Sequence, residues 1–231
     1  MREIVLDTET TGLDPYQGHR LVEIGCIELI NGIPSGQTFH RYFNPERSMP
    51  AEAFAVHGLS DDFLKDKMFF AEVADELIAF LGDAPLVIHN AGFDLGFLNA
   101  EVERAGRPLL ARERLVDTLM LARRKHPGGS NRLDDLCARY GIDNSRRTKH
   151  GALLDAELLA EVYVELIGAR QAQLVLSQTP MPGRVPGEAI IVRERIVPLV
   201  PAITADERAA HRAFIASLGE NAIWRDYVSL D

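Results

Sequence analysis

Cysteine is scarce in this chain: Cys26 and Cys137 are the only two among 231 residues, and they lie far apart. That excludes a disulfide framework and a zinc ribbon and fits a reducing compartment, with both thiols read as small core residues. No stretch approaches the roughly 18 consecutive apolar residues that a membrane helix needs. The opening MREIVLDTET carries acids where a signal peptide has its apolar centre. The expectation is a cytoplasmic protein with no membrane partner. With 46% hydrophobic and 26% charged residues, the chain is too apolar for a disordered one.

A basic excess is also missing. The net charge is −9, and residues 1–167 carry all of it, with 27 acids against 18 bases; residues 168–231 hold seven of each. Such a domain is poorly suited to tight, sequence-independent duplex binding through counter-ion release. It remains compatible with an enzyme that holds cations on carboxylates and touches a strand end.

The apolar pattern begins as strands. Ile4-Val5-Leu6 leads into Asp7-Thr8-Glu9; residues 20–30 form a second run, ended by the hairpin signal Asn31-Gly32; residues 36–43 form a third. Short turns between them predict an antiparallel meander. Helical spacing then takes over at 49–57, 71–81, 92–105, 118–125, 132–140 and 151–167, with short buried strands at 85–88 and 115–116. Antiparallel strands followed by alternating helices and strands predict an α/β fold, a mixed sheet flanked by helices. Residues 177–187 carry three prolines and two glycines, a linker composition. Thr204-x-x-Glu207 then opens a short helix with Ala210, Phe214, Ile215 and Leu218 on one face, ending at Gly219. A short helix cannot bury that face alone, so it reads as a docking segment; a helix folded back on its own domain is the alternative.

Four acids stand out. Asp7 and Glu9 are two apart on a strand and share a face; a solvent-facing pair is the plain reading, and in a partly buried place the pair is costly unless a cation neutralises them or one is protonated. Asp94, just after a buried strand, taken alone is as well explained by a helix dipole. Asp155 sits beside the Leu154/Leu158 stripe of a long helix, with His150 five residues earlier; taken alone, that histidine reads as a surface or capping residue. Together, four carboxylates from three elements and one histidine match the needs of two-metal phosphodiester cleavage. Hard cations take oxygen ligands, and a histidine near neutral pKa can accept a proton from the attacking water. Asp117-Thr118 and Asp134-Asp135 read as strand-end and cap residues. The basic cluster 123–126 reads as a solvated helix end, whereas 146–149 adjoins His150 and could meet phosphates.

Here the chain resembles the DEDD 3′→5′ exonucleases with a histidine base, on the ribonuclease H-like fold. Asp7-Thr8-Glu9-Thr10-Thr11-Gly12 resembles the first motif, His89 to Asp94 the second and His150-x4-Asp155 the third. The resemblance implies that Asp7, Glu9, Asp94 and Asp155 hold two Mg²⁺ or Mn²⁺ ions, with Asp7 shared, and that His150 is the general base. It further implies that Thr8, Thr10, Thr11, Gly12 and Leu13, with His57 and Asn90, contact the terminal nucleotide alongside Asp7, Glu9 and Asp155.

Ile191-Val192-Arg193, Ala205-Asp206-Glu207, Ala209-Ala210-His211 and Ile223-Trp224-Arg225 resemble the tail of the proofreading branch of that family, which serves bacterial replicative polymerases. This implies an exonuclease domain at 1–170, a flexible linker at 171–187 and a polymerase-binding segment at 188–231. The substrate expected is a single-stranded or frayed 3′ end of DNA. Gln178 to Gly183 sits where that branch carries a sliding-clamp peptide, but lacks the apolar or aromatic last residue, which implies weak clamp binding at most. Two alternatives stay open: a freestanding exonuclease acting on RNA or short oligonucleotides, and a non-catalytic subunit that stabilises a polymerase.

Overall fold

The computed structural model describes residues 1–169, 203–219 and 223–226, and the chain divides into two units, Met1–Leu174 and Val175–Asp231. The expected linker, with the segment at 178–183, lies outside the described residues, as does the part of 188–231 before Ile203.

Five strands make one sheet in the order β3-β2-β1-β4-β5: β1 (Arg2–Thr10), β2 (Leu21–Ile30), β3 (Ile33–Tyr42), β4 (Leu86–Ile88) and β5 (Leu115–Asp117). The meander is antiparallel, while β4 and β5 run parallel to β1, giving the mixed sheet that the sequence predicts. Asn31 and Gly32 both take positive φ, 53° and 76°, the backbone that a tight hairpin matched to strand twist requires.

Alternation along the strands sorts side chains to two layers. Ile4, Leu6, Ile24, Cys26, Leu86 and Ile88 pack with α3 (Phe70–Leu81) and α4 (Ala91–Arg104). Val5, Ile27, Leu29 and Val87 pack with Leu159 and Tyr163 of α7 (Ala152–Leu166). Behind α7, Leu158 and Val162 meet Ala122 of α5 (Thr118–Lys125) and Leu136 and Cys137 of α6 (Leu133–Tyr140). Both cysteines are fully buried. The helix predicted at 49–57 forms as α1 (Ala51–His57), and a single turn, α2 (Asp61–Leu64), follows it where the periodicity gave no signal. The basic end of α5 is not merely solvated: Lys125 Nζ donates to the carbonyls of Glu165 and Leu166, at 2.6 and 3.0 Å, capping the C-terminus of α7.

Two buried polar contacts fix the layers laterally. Arg20 grips Glu101 of α4 with both arms of its guanidinium, at 2.7 and 3.0 Å, and the Tyr163 hydroxyl donates to Glu3 of β1 at 2.7 Å. In the second unit, α8 (Ala205–Ser217) opens with the predicted capping box between Thr204 and Glu207. It leaves Phe214 and Leu218 exposed, and the rings of His211 and Trp224 meet edge to face. Among the described residues no helix is long and apolar enough to cross a membrane.

Gly25 of β2 pairs with Asp7 of β1, and a Cβ on it would overlap the backbone N and Cα of Leu153. The first turn of α7 therefore rests directly on the sheet. Gly25→Ala should lower the free energy of urea unfolding by about 1–3 kcal/mol, the range for overpacking in a close-packed interior, and so lower the midpoint; an unchanged midpoint would mean the turn yields freely.

Candidate active site

The carboxyl ends of β1 and β4 lie side by side, and the chain leaves them in different directions. In open α/β sheets this is where crevices form. Asp7 and Glu9 continue the face of Val5, toward α7, and Thr8 continues the face of Ile4 and Leu6, toward α4. Thr8 Oγ1 accordingly donates to Asp94 Oδ1 at 2.6 Å. Asp94 is in the first turn of α4, which the backbone enters through Asn90 at φ 65°, a left-handed conformation that asparagine tolerates. Asp155 is in the first turn of α7. Both acids thus sit at helix N-termini, where the dipole favours negative charge.

Glu9, His150 and Asp155 each place a ligand atom within 4.8 Å of the others. Asp94 and Asp155 are buried, as is Glu9, while the side chain of His150 is 47% exposed. The concentration of charge is visible in the acidities. Burial, then Asp94, Glu9 and Asp155, pushes the Asp7 carboxyl well above the usual range. Burial and the nearby Asp155, Glu23 and Asp94 raise Glu9 to about 8. Asp94 rises to about 7 through burial, against the opposing pull of Thr8. Asp155 goes the other way: burial works against its ionisation, but hydrogen bonds from Arg147 and His150 outweigh it. Raised carboxyls packed this closely are the donor set that a hard divalent cation fits, because an added positive charge removes the repulsion that raises them.

Two cavities flank the acids. One, of about 610 Å³, is lined by Thr8 through Leu13 and by His57, together with Gln17, His19, Glu52 and Phe93. Leu13 stands 84% exposed at it. His57 is buried with Nδ1 accepting from the Leu59 N–H at 3.0 Å, which leaves Nε2 as the protonated nitrogen, unpartnered in the structure. The other cavity, of about 770 Å³, is lined by Asp7, Asn90, His150 and Asp155 with Arg123, Arg132 and Arg147. The structure therefore groups Thr8, Thr10, Thr11, Gly12, Leu13 and His57 on one side of the carboxylates and places Asn90 on the other.

Several lining residues escaped the sequence reading. Glu52 lies four before Val56 and five before His57 on α1, so helical spacing from that pair carried the signal. His19 has no such signal; it reaches the wall through the ordered segment 11–20, where Thr11 Oγ1 meets its Nδ1 at 3.2 Å. Asp117 caps α5, as expected, by accepting from the Leu119 and Met120 N–H groups. Asp134, read as a cap, instead accepts from Arg147 at 2.6 Å.

The family described as Exonuclease matches residues 4–163. DNA polymerase III subunit epsilon of Rickettsia felis is 46% identical over 226 residues, covering 96% of this chain and 99% of that protein. The Escherichia coli K12 subunit epsilon is 44% identical over 237 aligned residues, 97% of each. Among solved structures, the zinc-bound E. coli exonuclease I complex with single-stranded DNA aligns with a TM-score of 0.63 at 19% identity, over 74% of this chain and 41% of that one; at this identity the likeness concerns the fold.

The raised acids set the sign of a pH dependence. A carboxyl whose folded pKa exceeds its unfolded value stabilises the fold fully below the unfolded pKa and loses that contribution as pH rises through the folded one. For Glu9 and Asp94 that window runs from an ordinary carboxylate value to about 8 and about 7. In chelator, the melting temperature should fall across this window, and Glu9→Gln should flatten the fall. An equally steep fall in Glu9→Gln would place the cost on other groups.

Proposed function

This chain belongs to the exonuclease family and, within it, to the DNA polymerase III epsilon subunits, and on that premise we propose how its residues divide the work of a proofreading 3′→5′ exonuclease. The observation that carries the assignment is the meeting of Asp7, Glu9, Asp94 and Asp155 from β1, α4 and α7, with His150 beside Glu9 and Asp155 at the edge of the 770 Å³ cavity. Asp7, Glu9, Asp94 and Asp155 would hold two divalent cations, Mg²⁺ with Mn²⁺ able to substitute, which when bound polarise the attacking water and stabilise charge on the attacking and leaving oxygens.

The remaining roles belong to the protein's own groups. His150 is half exposed and can receive the proton of the attacking water, and its Nδ1 lies 3.1 Å from Asp155 Oδ2, a contact that orients the ring. The 610 Å³ cavity takes the terminal nucleotide: the exposed Leu13 offers apolar contact, the Thr8–Gly12 segment lines the wall, and the His57 Nε2–H is a neutral donor in want of an acceptor. Asn90 lines the other cavity and would contact the strand from there. Selection then rests on whether a 3′ end can leave its duplex, which a mispaired end does more readily.

The partner of residues 188–231 is the DNA polymerase III alpha subunit. The exposed Phe214 and Leu218 of α8, with Trp224, supply the apolar contact, and the chain works in the cytoplasm beside its polymerase. A sliding clamp would at most be held weakly through Gln178 to Gly183.

Purified protein should shorten 5′-labelled single-stranded DNA from the 3′ end, faster than matched duplex, and lose this in chelator. His150→Ala should cost about 10²–10⁴ in rate, the range for removing a general base. RNA preferred over DNA would favour the freestanding enzyme, and no cleavage by folded protein would favour a purely structural subunit. Deleting 188–231 should leave cleavage of single strands intact while abolishing co-elution with the alpha subunit in gel filtration.

A further inference from the structure

The cation already present among the carboxylates is Arg147. Its Nε and Nη2 donate to Asp155 Oδ1 and Oδ2 at 2.6 and 2.7 Å, a two-armed grip on both oxygens, and its Nη1 donates to Asp134 Oδ2 at 2.6 Å. The pair is desolvated: the side chains of Arg147 and Asp155 are 8% and 3% exposed. The same Nη2 lies 2.6 Å from His150 Nδ1, which also faces Asp155 Oδ2. That nitrogen can accept from Arg147 or donate to Asp155, but it cannot do both.

These contacts occupy lone-pair sites on both Asp155 oxygens, so a metal ion on Asp155 would share them with the guanidinium. A divalent cation on Asp155 would also stand beside a guanidinium that cannot lose its charge. We propose that Arg147 is a resident counter-ion of this site, holding Asp155 in the ion-free enzyme and giving it up when a divalent cation binds, so that metal binding and release of Arg147 are one coupled event. Release also settles the histidine. With Arg147 gone from Nδ1, that nitrogen donates to Asp155 and Nε2 keeps the lone pair that takes a proton. The freed guanidinium stays in the groove lined also by Arg123 and Arg132, where substrate phosphates are its alternative partner. Arg147 is thus a positioning residue, acting through Asp155 and His150. The inference rests on the two-cation reading above.

The test is Mn²⁺ binding to the full-length chain without DNA, by calorimetry and by the electron paramagnetic resonance of free Mn²⁺. Competition of two cations for one carboxylate is a coupling, typically worth roughly 5–150-fold. Arg147→Gln should tighten Mn²⁺ binding by a factor in that range, and Arg147→Lys, which keeps the charge but not the two-armed grip, should fall between. The melting temperature of Arg147→Gln should drop in chelator and rise more on adding Mn²⁺ than that of the parent. Asp134 is 55% exposed, so Asp134→Asn removes the outer anchor without disturbing the core, and it should shift Mn²⁺ affinity in the same direction by less. Unchanged or weaker Mn²⁺ binding in Arg147→Gln overturns the inference; should that variant fail to fold, unchanged affinity in Asp134→Asn does so. A parent protein that binds no Mn²⁺ overturns both the inference and the two-cation reading, which separates the two failures.

Discussion

Everything at the centre of this protein follows from bringing like charges together where water is scarce. Asp7, Glu9, Asp94 and Asp155 meet at the ends of β1, α4 and α7, and burial, joined for Asp7 and Glu9 by repulsion from the other acids, raises the pKa values of the first three. Such an arrangement would spread apart unless the scaffold resisted. The resistance is visible in unrelated places. Gly25 lets the α7 backbone rest on the sheet opposite Asp7, Thr8 ties Asp94 from below, and Arg20 with Glu101 keeps α4 against the β2 edge. Contacts far from any reacting atom thus sustain the geometry, in the sense that a strained site is supported by the packing around it.

The meander, the parallel β4 and β5 and the core helices were legible because their signals are local: alternation, helical spacing and an Asn-Gly turn. Placing Asp7 and Glu9 on one face needed only the strand period of two. The convergence of Asp94 and Asp155 on them was not derivable from spacing alone, since it depends on which strands neighbour β1; the resemblance supplied it. The division between two cavities of the residues expected to contact the nucleotide was hidden for the same reason. Asn90 lies close to Asp94 in sequence, but its left-handed backbone turns it to the far side of the carboxylates from His57. Glu52 was recoverable from helical spacing; His19 was not, because only the fold of segment 11–20 brings its ring to the wall.

Arg147 marks the limit of reading charge from composition. A run of basic residues beside a nuclease-like motif suggests phosphate contact, yet in the structure Arg146 pairs with Glu157 and Lys149 lies over the Phe54 ring. Arg147 turns inward onto Asp155, which without it would be a buried carboxylate lacking that counter-charge. The exposed Asp134 then completes a bridge that no sequence rule pairs with residue 147.

The acidic balance of the first unit is consistent with this economy of charge. An enzyme that bound duplex DNA tightly along its length would need a basic face and would be slow to leave matched ends. Here the cationic side chains near the acids are few, Arg123, Arg132 and Arg147, and they line one groove, while the opposite cavity is largely uncharged apart from Glu9, Asp14 and Glu52. On the reading proposed above, a strand would be held chiefly by its last phosphates and its terminal nucleotide. Weak holding of the body of the DNA with firm holding of its end is what makes separation of the terminal pair decide the rate. Under that constraint a mismatch is recognised through the energy of opening it, and the site has no need to tell one base from another.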